Sequence, residues 1–222
     1  WQQPERVMDA LGIADGAHVA DLGAGGGWFT IRLARRVGPN GVVYAEDVQQ
    51  PMVDAIARRV SREGFRNVRT ILGGFTDPHL APASVQAALL VGVYGQIREP
   101  IVFLSNVRKG LTPTGRLGIV DFKPAGFGPG PDDGRVAPDT IVHDAAQAGL
   151  QHVQQGQLGQ LEALPGNLLV DLLDAEVCEL GLLHCTFGQG VVRVPADHPV
   201  DHNVSGNIPC KGLPLAPPQV VL

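Results

Sequence analysis

The sequence predicts an α/β fold, a doubly wound and mostly parallel sheet with helices on both faces. Short apolar runs alternate with amphipathic stretches of ten to thirteen residues, the pattern of parallel strands joined by crossover helices. Some runs are apolar throughout, as at Ala87–Val91, which suits strands buried on both faces. A glycine-rich turn, Gly23–Gly27, follows the first run, and ligands of such sheets bind beyond the carboxyl ends of the strands.

Individual elements follow from apolar periodicity and from Pro and Gly at their ends. The predicted helices are 4–11, 28–37, 51–63, 99–111 and 138–148. The predicted strands are 18–22, 42–46, 68–72, 87–91 and 116–122, with 151–155 as a candidate sixth strand. A further helix is predicted at 167–183, with Asn167 as its N-cap, because apolar residues recur there at helical spacing.

Composition narrows the class of protein. With 222 residues, of which 44% are apolar, the chain is long enough for one domain, or one domain with an appendage. No apolar run approaches the roughly 18–20 residues of a membrane span, and no basic patch indicates nucleic acid. Three late cysteines without a disulfide pattern predict a reduced, cytoplasmic setting. Trp1 in place of Met predicts a fragment or a processed form, which would hide a signal peptide.

Charge divides the chain near residue 157. Residues 1–157 carry 15 basic and 15 acidic side chains, whereas residues 158–222 carry two basic and seven acidic ones. We therefore predict a domain at 1–157 and an atypical, acidic, Pro-rich segment at 158–222 that is largely irregular after its helix. Either Val191–Val194 pairs with the sheet as a strand, or the sixth strand lacks a partner. An alternative interpretation is that the whole segment is unrelated in sequence to the rest of the domain's family, as a translated frameshift would be.

The glycine turn does not fit the two common phosphate-binding patterns. In a G-x-G-x-x-G dinucleotide motif beginning at Gly23, the third glycine falls on Trp28, whose indole is too bulky for close helix–strand packing. The alternative phase from Gly25 places Thr30 there, and no Gly-Lys-Ser/Thr follows, which excludes a P-loop. A nicotinamide-dependent oxidoreductase is therefore disfavoured.

The spacing Asp21-x-Gly23-x-Gly25-x-Gly27 resembles the first motif of class I S-adenosylmethionine-dependent methyltransferases, which have a Rossmann-like fold. The similarity extends over about residues 4–155 and is greatest to small enzymes grouped with ubiquinone and menaquinone biosynthesis. The resemblance implies S-adenosylmethionine as the cofactor. The motif has a physical reason. An acidic side chain stabilises the ammonium group of the cofactor, and backbone N–H groups donate to the cofactor's carboxylate.

The resemblance also implies roles for single residues. Asp21 and the turn of Gly23, Gly25 and Gly27 hold the methionine part, and Asp47 accepts the ribose hydroxyls, with Glu46 as the alternative. Phe75 and Asp77 meet the adenine, and Val91 lies next to the sulfonium. Tyr94 and Gln96 are expected to line the substrate pocket, where packing in the core is the competing interpretation for Tyr94.

The chain departs from its relatives after the fourth strand. Where relatives often carry a His-His pair, this chain has Gly95-Gln96, so no general base and no catalytic residue is assigned. Methyl transfer relies largely on alignment, because the sulfonium is a good leaving group. The sequence therefore predicts methyl transfer to a small-molecule acceptor, with a non-catalytic nucleoside-binding module as the alternative. Lys123 and Asp121, at the end of the fifth strand, are interpreted as solvated residues.

One further pattern suggests a metal and is not accepted. Cys178, Cys185, His198 and His202 reproduce the last two spacings of a two-Cys-two-His zinc finger. The first spacing is too long, and Pro195 and Pro199 interrupt the helix that should carry the histidines. We therefore predict no metal site.

Overall fold

The computed structural model describes residues 4–122, 124, 134–152 and 167–173, the last stretch by its backbone alone. Helices and strands alternate through most of it. In chain order they are α1 (Pro4–Ala10), β1 (His18–Leu22), α2 (Trp28–Val37), β2 (Val42–Asp47), α3 (Gln50–Arg62), β3 (Val68–Leu72), β4 (Val85–Val91), a 3-10 turn (Tyr94–Gln96), α4 (Pro100–Gly110), β5 (Leu111–Phe122), α5 (Pro138–Gln147), β6 (Gln151–His152) and β7 (Asn167–Leu173).

The seven strands form one sheet in the order β3-β2-β1-β4-β5-β7-β6, and every pairing in it is parallel. Chain direction across the sheet reverses between β1 and β4, because β2 and β3 lie on one side of β1 and the later strands on the other. In a parallel sheet all carboxyl ends share one edge, so this reversal opens a crevice beyond β1 and β4. The predicted doubly wound α/β fold is confirmed.

Two apolar layers cover the sheet. The first joins α1 and α2 to β1, β2 and β4 through residues such as Leu33, Val37 and Val43, and α3 extends it through Ile56 against Ala45. The second joins β4 and β5 to α4 and α5 through residues such as Leu104, Ile119 and Ile141. Burial of these side chains supplies the main favourable free energy of folding, and it holds the strand ends that carry the polar residues.

Most predicted elements agree with the structure within one or two residues. β1, α2 and β3 have the predicted bounds, and β6 begins at the predicted residue. β4 and β5 begin earlier than predicted because Val85 pairs with Leu111, and the register then shifts before Ala87 pairs with Arg116. The turn-forming residues 112–115 lie within that irregular stretch, which explains why they predict a loop.

The helix predicted at 167–183 is wrong over its first seven residues. Asn167–Leu173 is a strand, β7, paired in parallel with β5 from Arg116 to Phe122 and with β6. A short, nearly continuous apolar run fits a buried strand as well as a helix face, and the partners β5 and β6 decide between them. Strand six therefore has a partner, and β7 joins the sheet built by the first 157 residues. The predicted division at residue 157 otherwise stays a prediction.

Several predictions fall on residues that the structure does not describe. They concern Lys123, the strand at Val191–Val194, residues 174–183 of the predicted helix, and the Cys178, Cys185, His198 and His202 pattern. Within the described part of the chain, no group of three or more His, Cys, Asp or Glu side chains is placed to hold a metal ion. Across the same residues, no helix has the length and hydrophobicity that crossing a membrane requires.

Candidate active site

The glycine turn follows β1 at the crevice and depends on glycine for its shape. Gly23, Gly25 and Gly27 have φ of 64°, 53° and 72°, in the left-handed region that residues with a Cβ rarely adopt. A Cβ added at Gly23 would lie 3.0 Å from Val93, whereas one added at Gly25 or Gly26 would meet no atom within 4 Å. The second half of the turn therefore presents bare backbone to open space.

Three consecutive N–H groups of this turn donate to the end of β2. The Gly23 N–H donates to Glu46 Oε2 at 3.2 Å, and the Ala24 N–H donates to the Glu46 carbonyl at 2.8 Å. The Gly25 N–H donates to Asp47 Oδ2 at 2.9 Å. Each of these three N–H groups already has an acceptor, and the expectation that backbone N–H groups of the turn receive a ligand carboxylate stays a prediction. Their role in this structure is to fix the turn against β2.

Asp21 lies beneath the turn and is only 3% exposed. Its Oδ2 accepts the Thr30 hydroxyl at 2.5 Å, and the Thr30 backbone N–H also donates to its carboxyl. Burial raises the pKa of Asp21 to about 6. The hydrogen bonds from Thr30 lower this pKa, and the nearby charge of Asp47 raises it. Asp21 therefore connects β1 to the first turn of α2, and it is predominantly ionised at neutral pH.

Glu46 and Asp47 end β2 side by side, and both are buried. Asp47 Oδ1 accepts the Gln49 N–H at 2.9 Å, so each of its oxygens already accepts one hydrogen bond and has capacity for a second. Glu46 is 1% exposed, and its Oε1 has no partner among the described residues. Burial raises the pKa of Glu46 to about 7; Gly23 opposes the shift, and Asp47 and Asp21 add to it.

The raised pKa of Asp21 predicts a pH-dependent stability. The folded state holds the Asp21 proton more tightly than the unfolded state does. This contribution is therefore fully present below pH 4 and is lost as the pH rises through about 6. A shift of about two pKa units corresponds to about 3 kcal/mol. The free energy of unfolding of Asp21→Asn, taken relative to wild type in urea, should therefore increase by about 3 kcal/mol as the pH is raised from 4 to 7. A constant difference across that range, or the same trend in the exposed control Asp54→Asn, would contradict it.

The segment after β3 carries the residues predicted to meet the adenine. Phe75 is 74% exposed and lies free of the core, available to a flat ligand. Asp77 is also exposed, and its Oδ1 accepts the His79 N–H at 2.8 Å in a local turn. A hydrogen bond from the Gly74 N–H to the Asp77 carbonyl, at 2.7 Å, closes that turn. The second carboxylate oxygen of Asp77 remains available for a ligand.

Tyr94 differs from its predicted place in the substrate pocket. It is 2% exposed and belongs to the core cluster beside α4 and α5. Its hydroxyl donates to Asp144 Oδ2 at 2.9 Å, and its backbone N–H donates to Asp121 Oδ2 at 3.0 Å. Burial and the Asp144 carboxylate raise the pKa of the phenol above its ordinary value, so it is no base at neutral pH. The ring packs in this cluster, although the residue itself lies in the 3-10 turn after β4.

Removing the Tyr94 hydroxyl should change stability and leave cofactor binding intact. Tyr94→Phe keeps the buried ring and loses the hydrogen bond to Asp144, which we expect to cost about 1 kcal/mol of unfolding free energy in urea. Affinity for S-adenosylhomocysteine, measured by calorimetry, should stay within twofold of wild type. A tenfold loss of affinity with unchanged stability would instead place the hydroxyl at the ligand.

The other residues after β4 lie at the surface of the crevice. Val91 ends β4 and is half-buried, and Gln96 is exposed, with its side-chain amide donating to the Gly92 carbonyl at 3.3 Å. A Cβ added at Gly95 would overlap the Gly134 carbonyl oxygen. A side chain at position 95 would therefore require the segment before α5 to move, so a histidine does not fit at this position in the observed arrangement.

Asp121 has a role that the sequence interpretation missed. It ends β5 half-buried, and its two oxygens accept the Tyr94 and Phe122 backbone N–H groups at 3.0 and 2.8 Å. Burial raises the pKa of Asp121, while these hydrogen bonds and Arg135 lower it. The acid thus positions the 3-10 turn after β4. The available signal was an acid at the carboxyl end of a buried strand, the same signal that identified Asp21 and Asp47.

This edge fits a nucleoside with a cationic amino-acid tail. The fit rests on the open space over Gly25 and Gly26 and on the remaining acceptor capacity of Asp47. Carboxylates suit ribose hydroxyls and an ammonium group, because ionised acceptors make the stronger hydrogen bonds. Three acids around the turn would oppose a pyrophosphate, which argues against a dinucleotide.

Known proteins resemble this chain in sequence and in fold. A family model described as a methyltransferase domain matches residues 19–115. Nocamycin O-methyltransferase of Saccharothrix syringae is 32% identical over 117 residues, which make up 51% of this chain and 41% of that protein. A ubiquinone/menaquinone biosynthesis C-methyltransferase of Pasteurella multocida is 38% identical over 65 residues, or 29% of this chain and 22% of that protein. The crystal structure of a SAM-dependent methyltransferase from Aquifex aeolicus has a TM-score of 0.63 and 28% identity, covering 66% of this chain and 79% of that one.

The fold and the matches define an enzyme class, the S-adenosylmethionine-dependent methyltransferases. Residues 19–115 match the model of a methyltransferase domain, and the chain has the fold of a solved S-adenosylmethionine-dependent methyltransferase. The predicted family is thereby confirmed, with S-adenosylmethionine as the cofactor of that family. The chain matches less than half the length of the two sequence relatives.

Proposed function

We propose that the protein transfers a methyl group from S-adenosylmethionine to a small-molecule acceptor. The observation that supports this most is the open space over the backbone of Gly25 and Gly26. This backbone lies next to the ends of β1 and β2, which carry buried acids. In this proposal Asp47 holds the ribose, Asp21 acts from beneath the turn near the ammonium, and Phe75 and Asp77 meet the adenine. Val91 lies next to the sulfonium, and Gln96 borders the acceptor side.

The proposed reaction is an in-line displacement. When bound, the cofactor supplies a methyl group on a sulfonium, and a lone pair of the acceptor forms the new bond to carbon as the carbon–sulfur bond breaks. The residues of this chain contribute chiefly by holding donor and acceptor in line, which accounts for a large part of such rate enhancements. Asp121 supports the alignment by fixing the 3-10 turn after β4. The acceptor's proton leaves to solvent, since no described residue is assigned as its base.

Two measurements test the proposal. Calorimetry should show binding of S-adenosylmethionine and S-adenosylhomocysteine and no binding of NAD. Transfer of labelled methyl groups to a panel of phenols, quinols and amines should then reveal turnover with at least one class. Absence of heat with both sulfur nucleosides would contradict the proposal.

A non-catalytic nucleoside-binding module is the second candidate. Gly95, packed against the Gly134 carbonyl, leaves no room for a histidine at the position where relatives carry one. This function predicts the same binding heats, with no methyl transfer to any acceptor class.

A further inference from the structure

Arg59 of α3 contacts the glycine turn one residue beyond the last hydrogen bond of the turn to β2. Its Nη1 donates to the Gly26 carbonyl at 2.9 Å, although the two residues are 33 positions apart in the chain. Helix side chains lean toward the helix N-terminus, and α3 begins next to the end of β2, so Arg59 extends back toward the carboxyl edge of the sheet. A Cβ added at Gly26 would meet no atom within 4 Å, so the guanidinium holds the carbonyl from outside the open space over the turn.

A carboxylate keeps Arg59 in this orientation. Arg59 Nε donates to Glu63 Oε1 at 3.2 Å, and Glu63 Oε2 accepts Arg35 Nη2 of α2 at 3.1 Å. The side chains of Arg59 and Glu63 are 29% and 26% exposed, so both groups lie partly out of water. Because a guanidinium is planar, binding one group through Nε and another through Nη1 fixes its plane. The Gly26 carbonyl is thus bound to a side chain that has little remaining freedom.

The turn depends on such a contact, because side-chain packing restrains Gly25 and Gly26 little. Neither residue has a protein atom within 4 Å of its Cβ position, and close packing begins only at Gly27, where an added Cβ would lie 3.4 Å from Ile56. Glycine loses more conformational freedom on ordering than any other residue. A ligand that binds to a turn that is not already ordered has to order it, and this lowers the affinity of the ligand.

We propose that Arg59 is a positioning residue for the amino-acid part of the cofactor. It holds the Gly26 carbonyl, and thereby the turn, in the shape that the ligand meets, while Glu63 holds Arg59. The ribose and the adenine are assigned to Asp47 and to the segment after β3, which are not among the contacts of Arg59 in the described part of the chain. Loss of Arg59 should therefore weaken a ligand that has the amino-acid part more than one that lacks it. The inference rests on the proposed function.

Two ligands separate this role from a general effect on the fold. Calorimetry compares S-adenosylhomocysteine with methylthioadenosine, which has the nucleoside and the sulfur but lacks the amino-acid part. Arg59→Met retains an unbranched side chain and loses both hydrogen bonds. Its Kd for S-adenosylhomocysteine should rise about tenfold, or about 1.4 kcal/mol, and its Kd for methylthioadenosine should stay within about twofold of wild type. Arg59→Lys keeps the charge and a donor for the carbonyl, so its Kd for S-adenosylhomocysteine should rise at most about threefold.

Arg35→Met is the matched control. Arg35 binds the same Glu63 and is 65% exposed, but its contacts among the described residues, Glu63 and Phe65, do not include the turn. This variant should match Arg59→Met in urea unfolding and keep wild-type affinity for both ligands. An equal loss of affinity for both ligands in Arg59→Met, an equal loss in the two methionine variants, or no loss at all would overturn the inference and leave the proposed function standing. No heat from wild type with S-adenosylhomocysteine would instead contradict the proposed function itself.

Discussion

Gly25→Ala should weaken the binding of S-adenosylhomocysteine by at least about 100-fold while costing the fold only about 1–2 kcal/mol. The stability loss follows from the φ of 53°, which is strained for any residue with a Cβ. The affinity loss follows from position, because the added methyl group enters the open space over the turn, where no protein atom lies within 4 Å. Calorimetry and urea unfolding measure the two effects separately.

Gly16→Ala is the matched control for this variant. Gly16 also has a positive φ, 79°, and open space at its Cβ position, but it lies in the turn before β1, at the opposite edge of the sheet. It should therefore lose similar stability and retain wild-type affinity. If the two variants lose affinity equally, the loss reports backbone strain, and the assignment of the cofactor to the Gly25 surface is wrong.

Asp47→Ala should weaken S-adenosylhomocysteine binding by about 100-fold or more. Two hydrogen bonds from ribose hydroxyls to a carboxylate are worth about 3 kcal/mol together, which corresponds to about two orders of magnitude in Kd. The variant also frees the Gly25 N–H from its acceptor at 2.9 Å, so the turn loses one of its attachments to β2. Calorimetry measures the affinity.

Asp77→Ala is the comparison that tests this assignment. Asp77 is exposed, and it has only a local partner among the described residues, so its loss should cost about 1 kcal/mol of binding free energy at most. An Asp47→Ala variant that binds as tightly as wild type would remove Asp47 from the site. A larger effect at Asp77 than at Asp47 would shift the main polar contact to the adenine side.

Local patterns predicted the polar edge of the sheet. Asp21 and Asp47 each come at the end of an apolar run, and parallel strands bring such ends to one edge, so their proximity follows from strand order. The positive φ values at Gly23, Gly25 and Gly27 follow from residue type, because glycine alone adopts them without strain. The resemblance to methyltransferases rested on these same residues, and the family is confirmed.

Other features depended on contacts between residues distant in the chain. The 167–183 stretch has apolar residues that suit a helix face and a buried strand alike, and pairing with β5 selected the strand for Asn167–Leu173. Tyr94 lies next to a predicted pocket in sequence, yet the 3-10 turn directs its ring into the core and its hydroxyl toward Asp144, 50 residues further along the chain. No spacing rule encodes either contact.

The glycine turn shows the division most clearly. By itself the sequence determined that Gly23–Gly27 forms a tight turn after a buried strand, since this depends on residue type and neighbouring periodicity. Only the tertiary structure decided that the turn's N–H groups bind Glu46 and Asp47, and that Glu46 Oε1 has no partner among the residues that the structure describes. The reason is physical: a hydrogen bond between residues more than 20 positions apart depends on the register between β1 and β2 and on side-chain rotamers, and burial then determines the protonation of the carboxyl.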